Sequence, residues 1–296
     1  MKQLSIIGPT ASGKSDLAIN IAQKTDAYIL SIDSLSIYKE IDIISAKPSK
    51  QELENIQHFG IDLLYPDEYF SVDIFIKLYQ EVVSTCKKNN KNLIIVGGTS
   101  FYLKSLMQGL STLPDIDHNT KLHVENQLKD LTKCYNFLNE KDKEYMKNIS
   151  SNDRYRIEKA LLIYESSGDT PTTWFKNNPA KPIIECLNVY NIDVERDLLR
   201  ERISKRTKKM IDDGAIDEVC YLEQKYTRAP NSMGSIGVVE ILEYLDGKVS
   251  IEKMQENISI HTAQLAKRQQ TFNKNQFQNI VNAPLEKLEN IIVKNF

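Results

Sequence analysis

The sequence predicts an α/β protein in which a P-loop parallel-sheet core carries an all-helical insertion. Short apolar runs alternate with helical patterns along the first third of the chain, and a glycine-rich loop follows the first run. Strand-like runs are then absent from Pro114 to about Lys181. Near-continuous apolar runs are typical of strands buried on both faces of a parallel sheet, and helices join such strands.

Five segments are predicted as strands, at residues 2–8, 27–33, 58–64, 92–99 and 186–193. Most are short runs of Ile, Leu and Val that close on Gly or Asp. Apolar residues at helical spacing predict helices at 15–24, 72–89 and 101–109. The charged pattern of residues 195–226 is also helical, with Gly214 as a candidate break, and residues 251–275 form another helix.

Chain length and pattern together predict two domains. At roughly 150 residues per domain, a chain of 296 residues holds about two. The core is expected to comprise residues 1–115 and 185–296, and the helical insertion residues 116–184. Within the insertion, Ile157, Ala160, Leu161 and Tyr164 recur at helical spacing. The insertion therefore interrupts the α/β core between its two halves.

The composition excludes several classes of protein. Apolar residues make up 41% of the chain and charged residues 26%, which excludes a disordered or collagen-like protein. The net charge of −2 excludes a globally basic nucleic-acid binder but allows a locally basic surface. The apolar runs fall short of the roughly 20 residues that span a bilayer, and the N-terminus lacks signal-peptide features. We therefore expect a cytoplasmic protein with no membrane partner.

The strongest motif is the segment GPTASGKS, which fits the P-loop pattern G-x-x-x-x-G-K-[ST]. Its glycines let successive backbone N–H groups point into one concavity, and the next helix adds its positive N-terminal end. Lys14 would place a charge on a terminal phosphate, and the Ser15 hydroxyl is a candidate ligand of Mg²⁺. The predicted phosphate-binding residues are Gly8, Pro9, Thr10, Ala11, Ser12, Gly13, Lys14 and Ser15.

Two further candidates lie at strand ends. Asp33 ends the second predicted strand, and Gly97-Gly98-Thr99 ends the fourth. Ligands of doubly wound sheets bind beyond the carboxyl ends of the strands, so both candidates are expected near the P-loop. Asp33 fits an outer-sphere Mg²⁺ carboxylate, a general base, or a cap of the following turn without a catalytic role. Thr99 is either a donor to a developing charge or part of a tight turn.

A cluster of cations marks the helical pattern that begins near residue 195. Its members are Arg200, Arg202, Lys205, Arg206, Lys208 and Lys209. Arg202 and Arg206 are four residues apart and share a helix face that suits bidentate binding of a phosphate. The alternative is a solvated helix, because acidic residues alternate with these cations.

Several motifs follow the P-loop in order along the chain. They are DSLSIYKEIDIISAKPS, HFGIDLLYPDEYFSVDIF, IIVGGTSFYLKSLMQGL, NDRYRIEKALLIYE, RISKRTKKMIDDGAIDEV and TAQLAKRQQTF. With this set the chain resembles the bacterial tRNA dimethylallyltransferase (isopentenyltransferase) family over about residues 3–275.

The resemblance implies transfer of a dimethylallyl group from its diphosphate to N6 of adenosine 37, in tRNAs that read codons starting with U. It implies that residues 10–15 cradle the donor diphosphate, with Lys14 countering its charge and the cofactor Mg²⁺ on Ser15. Asp33 matches the base that takes the N6 proton, and Thr99 matches a threonine at the bridging oxygen. Either Arg202 or Arg206 matches the arginine that grips the leaving diphosphate.

The implied partners are dimethylallyl diphosphate and the anticodon stem-loop of tRNA, and the chain is expected to act as a monomer. The family positions that touch tRNA fall on Asp33, Ser34, Leu35, Ser36, Thr99, Lys121, Tyr155, Arg156, Ile157, Glu158 and Lys159. The chain departs from the family pattern at Ser36 in place of glutamine, at Val238 and Val239 in place of an aromatic residue and a lysine, and at Phe272 in place of tryptophan. Most departures thus fall on positions implied in tRNA contact or support.

Two other functions stay open on the residues alone. A P-loop phosphotransferase acting on a nucleotide or small metabolite would share the P-loop and Asp33. That function would not account for the helical insertion and the basic helix. An RNA-binding module with a purely structural P-loop is disfavoured, because Lys14, Ser15 and Asp33 are all present.

Overall fold

The computed structural model describes residues 1–49, 53 and 55–296, and across these residues six strands form one parallel sheet. The strands are β1 (Gln3–Ile7), β2 (Ala27–Ser31), β3 (His58–Phe59), β4 (Asn92–Gly97), β5 (Asn188–Ile192) and β6 (Val281–Ala283). Their spatial order is β3-β2-β4-β1-β5-β6, and every pairing is parallel. The predicted α/β parallel-sheet fold class is confirmed.

Helices connect and flank these strands. In chain order they are α1 (Lys14–Thr25), α2 (Val72–Lys88), α3 (Ser100–Gln108), α4 (His118–Gln127), α5 (Leu131–Lys141), α6 (Lys143–Met146), α7 (Arg154–Ser167), α8 (Pro171–Asn177), α9 (Arg196–Asp212), α10 (Ala215–Tyr226), α11 (Val238–Leu245), α12 (Ile251–Gln276) and α13 (Leu285–Asn295). A 3₁₀ turn covers Asn231–Gly234. Gly214, at a φ of 100°, separates α9 from α10, because this left-handed conformation costs glycine little.

The sheet brings three functional strand ends to one edge. β2, β4 and β1 are consecutive neighbours, and their registers pair Ser31 with Val96 and Ile7 with Gly97. The chain therefore leaves the sheet at nearly the same level after each of these strands. Parallel pairing thus gathers the P-loop, Asp33 and Thr99, although up to 91 positions separate them in sequence.

Three elements differ from the sequence prediction. The predicted strand at 58–64 pairs with β2 only over His58–Phe59, because Gly60 turns the chain at a φ of 77°, and Leu64 forms an isolated parallel bridge with Tyr38. A β-carbon on Gly60 would lie 2.6 Å from the Ser31 carbonyl oxygen, so the turn requires glycine. The pairing of β6 with β5 and the helix α13 lie beyond the last predicted helix and were not anticipated.

One apolar cluster supports the sheet. It joins buried residues of β1, β2, β4 and β5 to α1, α9, α12 and α13. A separate cluster joins residues 37–44 to α10, α11 and α12. These two clusters fix α9 and α12, which carry side chains of the site described below.

The chain divides into two compact units, residues 1–106 with 186–296, and residues 107–185. The second unit contains α4 to α8, with a core that includes Val124, Leu138 and Ile157. Residues 107–115, which the sequence analysis assigned to the core, belong to this second unit. Trp174 Nε1 donates a hydrogen bond to the Thr112 carbonyl oxygen at 2.8 Å and ties the segment to α8.

Asp142 is a buried carboxylate that organises the second unit. It caps α6 by accepting from the Tyr145 backbone N at 3.0 Å, and it accepts from both N and Oγ1 of Thr172 at 2.7 Å. Burial raises the pKa of Asp142, but the hydrogen bonds from Thr172 and Tyr145 outweigh burial and hold the pKa below its ordinary value. The ionised side chain therefore joins α6 to the start of α8.

We expect Asp142→Ala to lower the free energy of unfolding of the second unit by about 2–4 kcal/mol, because buried donors lose their acceptor. Asp130→Ala is the matched control, since Asp130 is exposed, caps α5 through Lys133, and should cost about 1 kcal/mol. In the native protein the stabilisation should vanish as pH falls through the depressed pKa of Asp142. Hydrogen exchange of α6 and α8 measures these effects, and equal protection in both variants would contradict this role.

Candidate active site

The P-loop joins β1 to α1 in a tight turn. Gly13 caps α1 at a φ of 88°, and the Ser12 N donates to the Pro9 carbonyl oxygen at 3.3 Å. Lys14 folds back over the loop, and its Nζ donates to the Pro9 carbonyl oxygen at 2.7 Å. A β-carbon on Gly13 would lie 2.9 Å from a methyl carbon of Leu285, so the unforeseen α13 packs closely on the loop.

Two cations and one carboxylate meet beside this loop. Burial lowers the pKa of Lys14 to about 8, Asp33 opposes that change by raising it, and Arg206 lowers it further. Burial also lowers the pKa of Arg206, again opposed by Asp33. Lys14 and Arg206 therefore lie within electrostatic reach of each other and of Asp33. An anion bound between the two cations would relieve their mutual repulsion.

Asp33 uses one carboxylate oxygen for local structure. Its Oδ1 accepts from the backbone N of Leu35 at 2.9 Å and of Ser36 at 3.3 Å, which orders the turn after β2. Across the described chain, Oδ2 has no hydrogen-bond partner, and the half-buried side chain lines two adjoining cavities. Asp33 thus caps the turn and still presents a second oxygen to the site.

Thr99 reaches the same site from the end of β4. It lies just before α3, where its carbonyl oxygen accepts from the Tyr102 N at 3.0 Å, and it lines the larger cavity. A β-carbon on Gly97 would lie 3.1 Å from the Asp33 N. The bare glycine backbone therefore lets the ends of β2 and β4 approach each other.

Two cavities share Thr10, Asp33, Ser45 and Arg206 in their walls. The smaller, of about 80 Å³, also holds Lys14 and Ser15. The larger, of about 440 Å³, is lined in addition by apolar side chains. These include Tyr38, Ile44, Phe70, Tyr102, Ile203 and Met210. A cationic end suited to phosphate thus adjoins a larger chamber with a partly apolar wall.

The structure separates the two candidate arginines. Arg206 lines both cavities and interacts electrostatically with Lys14 and Asp33. Arg202, one turn earlier on α9, does not line either of these two cavities. The other cations of this run, Arg200, Lys205, Lys208 and Lys209, are exposed. Only part of the predicted basic face therefore points to the site.

Several residues that line the two cavities were not predicted from the sequence. Gln269 of α12 accepts a hydrogen bond from the Thr10 N through Oε1 at 2.8 Å. Tyr102 of α3 stacks on Phe75 with ring centroids 4.9 Å apart, and burial raises its pKa to about 12. Ser45 lines both cavities. All of these residues lie inside the resemblance motifs, but neither spacing nor residue type marked them out.

The remaining predicted positions lie partly in the second unit. Tyr155 at the start of α7 is 65% exposed, with Lys159 Nζ 5.6 Å from its ring centroid, and Arg156 pairs with Asp153. Lys121 on α4 is exposed. Ile157 is fully buried in the core of the unit, so its side chain supports α7 and is not presented to solvent. In the first unit, Ser34 is exposed, Leu35 half-buried and Ser36 buried.

Comparison with known proteins identifies the family. Residues 36–276 match the IPP transferase family model. The chain belongs to the IPP transferase family. Over 293 residues it is 67% identical to a tRNA dimethylallyltransferase of Sulfurimonas denitrificans, a match that covers 99% of each chain. A tRNA dimethylallyltransferase of Sulfurovum is 55% identical over 99% of this chain and 98% of its own. The family predicted from the sequence motifs is confirmed.

Solved structures agree with this family. A tRNA isopentenylpyrophosphate transferase of Staphylococcus epidermidis, 31% identical, matches with a TM-score of 0.69 over 100% of this chain and 98% of that one. A eukaryotic dimethylallyltransferase solved acting on tRNA, 26% identical, matches with a TM-score of 0.81 over 92% of this chain and 70% of that one. Within the described residues, no helix is both long and apolar enough to cross a membrane.

We expect Arg206→Ala to weaken binding of inorganic diphosphate about 10- to 100-fold, because a charge-assisted contact in a half-buried site is lost. Arg202→Ala is the matched control from the same helix, and it should change the affinity less than threefold. Titration calorimetry with Mg²⁺ and diphosphate measures both variants. An equal or larger loss in Arg202→Ala would overturn the assignment to Arg206.

Proposed function

We propose that this IPP transferase family member transfers a dimethylallyl group from dimethylallyl diphosphate to N6 of adenosine 37, in tRNAs that read codons starting with U. One observation carries the proposal: Lys14, Arg206 and Asp33 line a small cationic pocket, and it adjoins a larger chamber that contains Thr99 and has a partly apolar wall. A prenyl diphosphate has the same two-part character, with an anionic head and a short apolar tail. The names of the similar proteins support this substrate class.

The donor is held by its diphosphate in this proposal. Amides of the P-loop, Lys14 and Arg206 bind the phosphate oxygens, and the prenyl tail lies along the apolar wall that includes Tyr38 and Phe70. Leaving-group charge grows as the allylic C–O bond breaks. The two cations and the oriented amides are already in place, so they stabilise that charge without reorganisation.

The oxygen donors present fit a magnesium ion. The exposed Ser15 side chain and Asp33 line the smaller cavity, and Mg²⁺ prefers such oxygen ligands together with substrate phosphates. Ser15 would hold Mg²⁺ directly. When bound, the ion would further neutralise the charge of the diphosphate.

The transfer needs one bond formed, one broken and one proton removed. The lone pair of N6 attacks the allylic carbon, and a C–N bond forms as the C–O bond breaks, with its electron pair leaving on the diphosphate. N6 then carries a surplus proton, which the open Oδ2 of Asp33 accepts. The Thr99 hydroxyl donates to the bridging oxygen that becomes anionic. Because the target base must reach this chamber, it leaves the RNA stack.

The acceptor RNA is proposed to contact both units. In the first unit these contacts come from the turn of residues 33–36, and in the second from Lys121, Tyr155, Arg156, Glu158 and Lys159. An exposed aromatic ring beside cations suits stacking on bases and pairing with phosphates. We further propose that the chain acts as a monomer in the cytoplasm, where its tRNA substrates are found.

The decisive test incubates the protein with Mg²⁺, unmodified tRNA and dimethylallyl diphosphate, and determines the mass of the RNA nucleosides. One prenyl increment on the adenosine at position 37 is expected. A parallel sample contains ATP and nucleoside monophosphates, and it should show no phosphate transfer. Phosphate transfer without prenylation would replace the proposal with a P-loop phosphotransferase.

We expect Asp33→Asn to lower kcat by roughly 10²- to 10⁴-fold, the usual contribution of a positioned base. Asparagine keeps an oxygen that can accept from Leu35 and Ser36, so the turn and the tRNA affinity should change little, and loss of the negative charge beside Lys14 and Arg206 should not weaken donor binding. Single-turnover kinetics with a Mg²⁺ titration, plus a thermal melt, measure the effect. Weakened donor binding that excess Mg²⁺ restores would instead assign Asp33 to metal organisation.

We expect the double variant Lys121→Glu/Lys159→Glu to raise the KM for tRNA at least tenfold and to leave the KM for the donor unchanged. Reversed charges on the proposed RNA face repel phosphates, and this effect grows as salt is lowered. The control is Lys143→Glu/Lys147→Glu, two exposed lysines of the same unit outside the family positions. Steady-state kinetics at two salt concentrations compare them, and equal tRNA KM values in both variants would count against this RNA face.

A further inference from the structure

We infer that Gln269 is a positioning residue that holds Thr10 and Thr99 in their relative places for prenyl transfer, an inference that rests on the proposed function. Gln269 lies on α12, 259 positions from Thr10, and its half-buried side chain lines the larger cavity. Its carboxamide lies between the start of the P-loop and the end of β4. Gln269 therefore contacts both strand ends from α12.

The orientation of the carboxamide follows from its partners. The Thr10 N is a donor, so the atom that faces it at 2.8 Å must be the oxygen Oε1. The amide nitrogen Nε2 therefore faces the other way and lies against Gly98, so closely that a β-carbon there would clash with it. One planar group thus separates Thr10 from the residue just before Thr99.

The position of Gln269 affects the geometry of the reacting groups as well as the local packing. Thr10 and Thr99 both line the chamber next to Asp33 and Arg206. The contacts of Gln269 set the spacing between the P-loop and the strand end that carries Thr99. Displacements near 1 Å at a reacting centre reduce rates by about 100-fold, so this spacing bears directly on kcat.

The neutral amide also has an electrostatic consequence. A carboxylate at this position could still accept from the Thr10 N, but it would place negative charge beside the pocket of Lys14 and Arg206. Diphosphate would then be repelled. Glutamine provides the acceptor without that charge, and its length spans the gap that asparagine, one methylene shorter, leaves open.

The test uses Gln269→Ala, Gln269→Glu and the control Gln270→Ala. Gln270 is the chain neighbour, is also half-buried, and donates to the Val194 carbonyl oxygen, away from the larger cavity. We expect Gln269→Ala to lower kcat about 10- to 100-fold with the donor KM within threefold. Gln269→Glu should weaken binding of inorganic diphosphate about tenfold in calorimetry, a readout that does not depend on prenyl transfer. Gln270→Ala should match the wild type in both.

A double-mutant cycle with Gly98→Ala tests the contact itself. Gly98→Ala should displace the carboxamide and lower kcat as Gln269→Ala does. In the Gln269→Ala background the side chain is absent, so Gly98→Ala should cause little further loss. Additive losses, or an unchanged kcat in Gln269→Ala, overturn the positioning role. Should Gln269→Ala lower the melting temperature, the cycle is run with Gln269→Asn, and unchanged kcat there overturns the role equally. Absence of transfer by the wild type would instead refute the proposed function, while the calorimetric comparison still tests Gln269.

Discussion

The positive charge of Lys14 and Arg206, both half-buried beside the carboxylate of Asp33, is the constraint that organises the site. Burial lowers the pKa of Lys14 to about 8, and repulsion from the partly buried Arg206 lowers it further. Asp33 offsets part of this lowering from the end of β2. The net charge of these three side chains remains positive, and an anionic ligand would neutralise it.

Most of the first unit serves to hold these three side chains together. Parallel pairing sets the ends of β1, β2 and β4 at one level, which aligns the P-loop with Asp33. Arg206 comes from a different direction, on α9, whose apolar face is buried with Leu199 and Ile203 in the core cluster. The helix α13 packs on the P-loop through Leu285, whose methyl carbon would lie 2.9 Å from a β-carbon on Gly13. The charges are therefore fixed by strand register and helix packing, not by a flexible loop.

The sequence predicts those parts of the site that depend on local sequence patterns. Glycine spacing identified the P-loop, and the rule that ligands bind beyond strand ends placed Asp33 and Thr99 beside it. Spacing along α9 could not choose between Arg202 and Arg206, because both share a face and the choice depends on how the helix rotates against the core. No sequence pattern predicts the role of Gln269, because its contact with Thr10 spans 259 positions and arises from tertiary packing. The short β6 carried too few apolar residues to be read as a strand.

The loop of residues 42–48 belongs to a motif whose role is structural: its contacts position one wall of the site. Glu218 of α10 accepts from the backbone N of Asp42 at 2.9 Å, of Ile43 at 2.7 Å and of Ile44 at 3.0 Å. Lys47, with a side chain only 5% exposed, donates to the Tyr38 carbonyl oxygen at 2.6 Å and pairs with Asp42. These contacts hold the intervening Ser45 in the wall that the two cavities share. The segments DIISAKP and DDGAIDEV therefore supply two halves of one brace, and this brace positions Ser45 at the boundary between the two cavities.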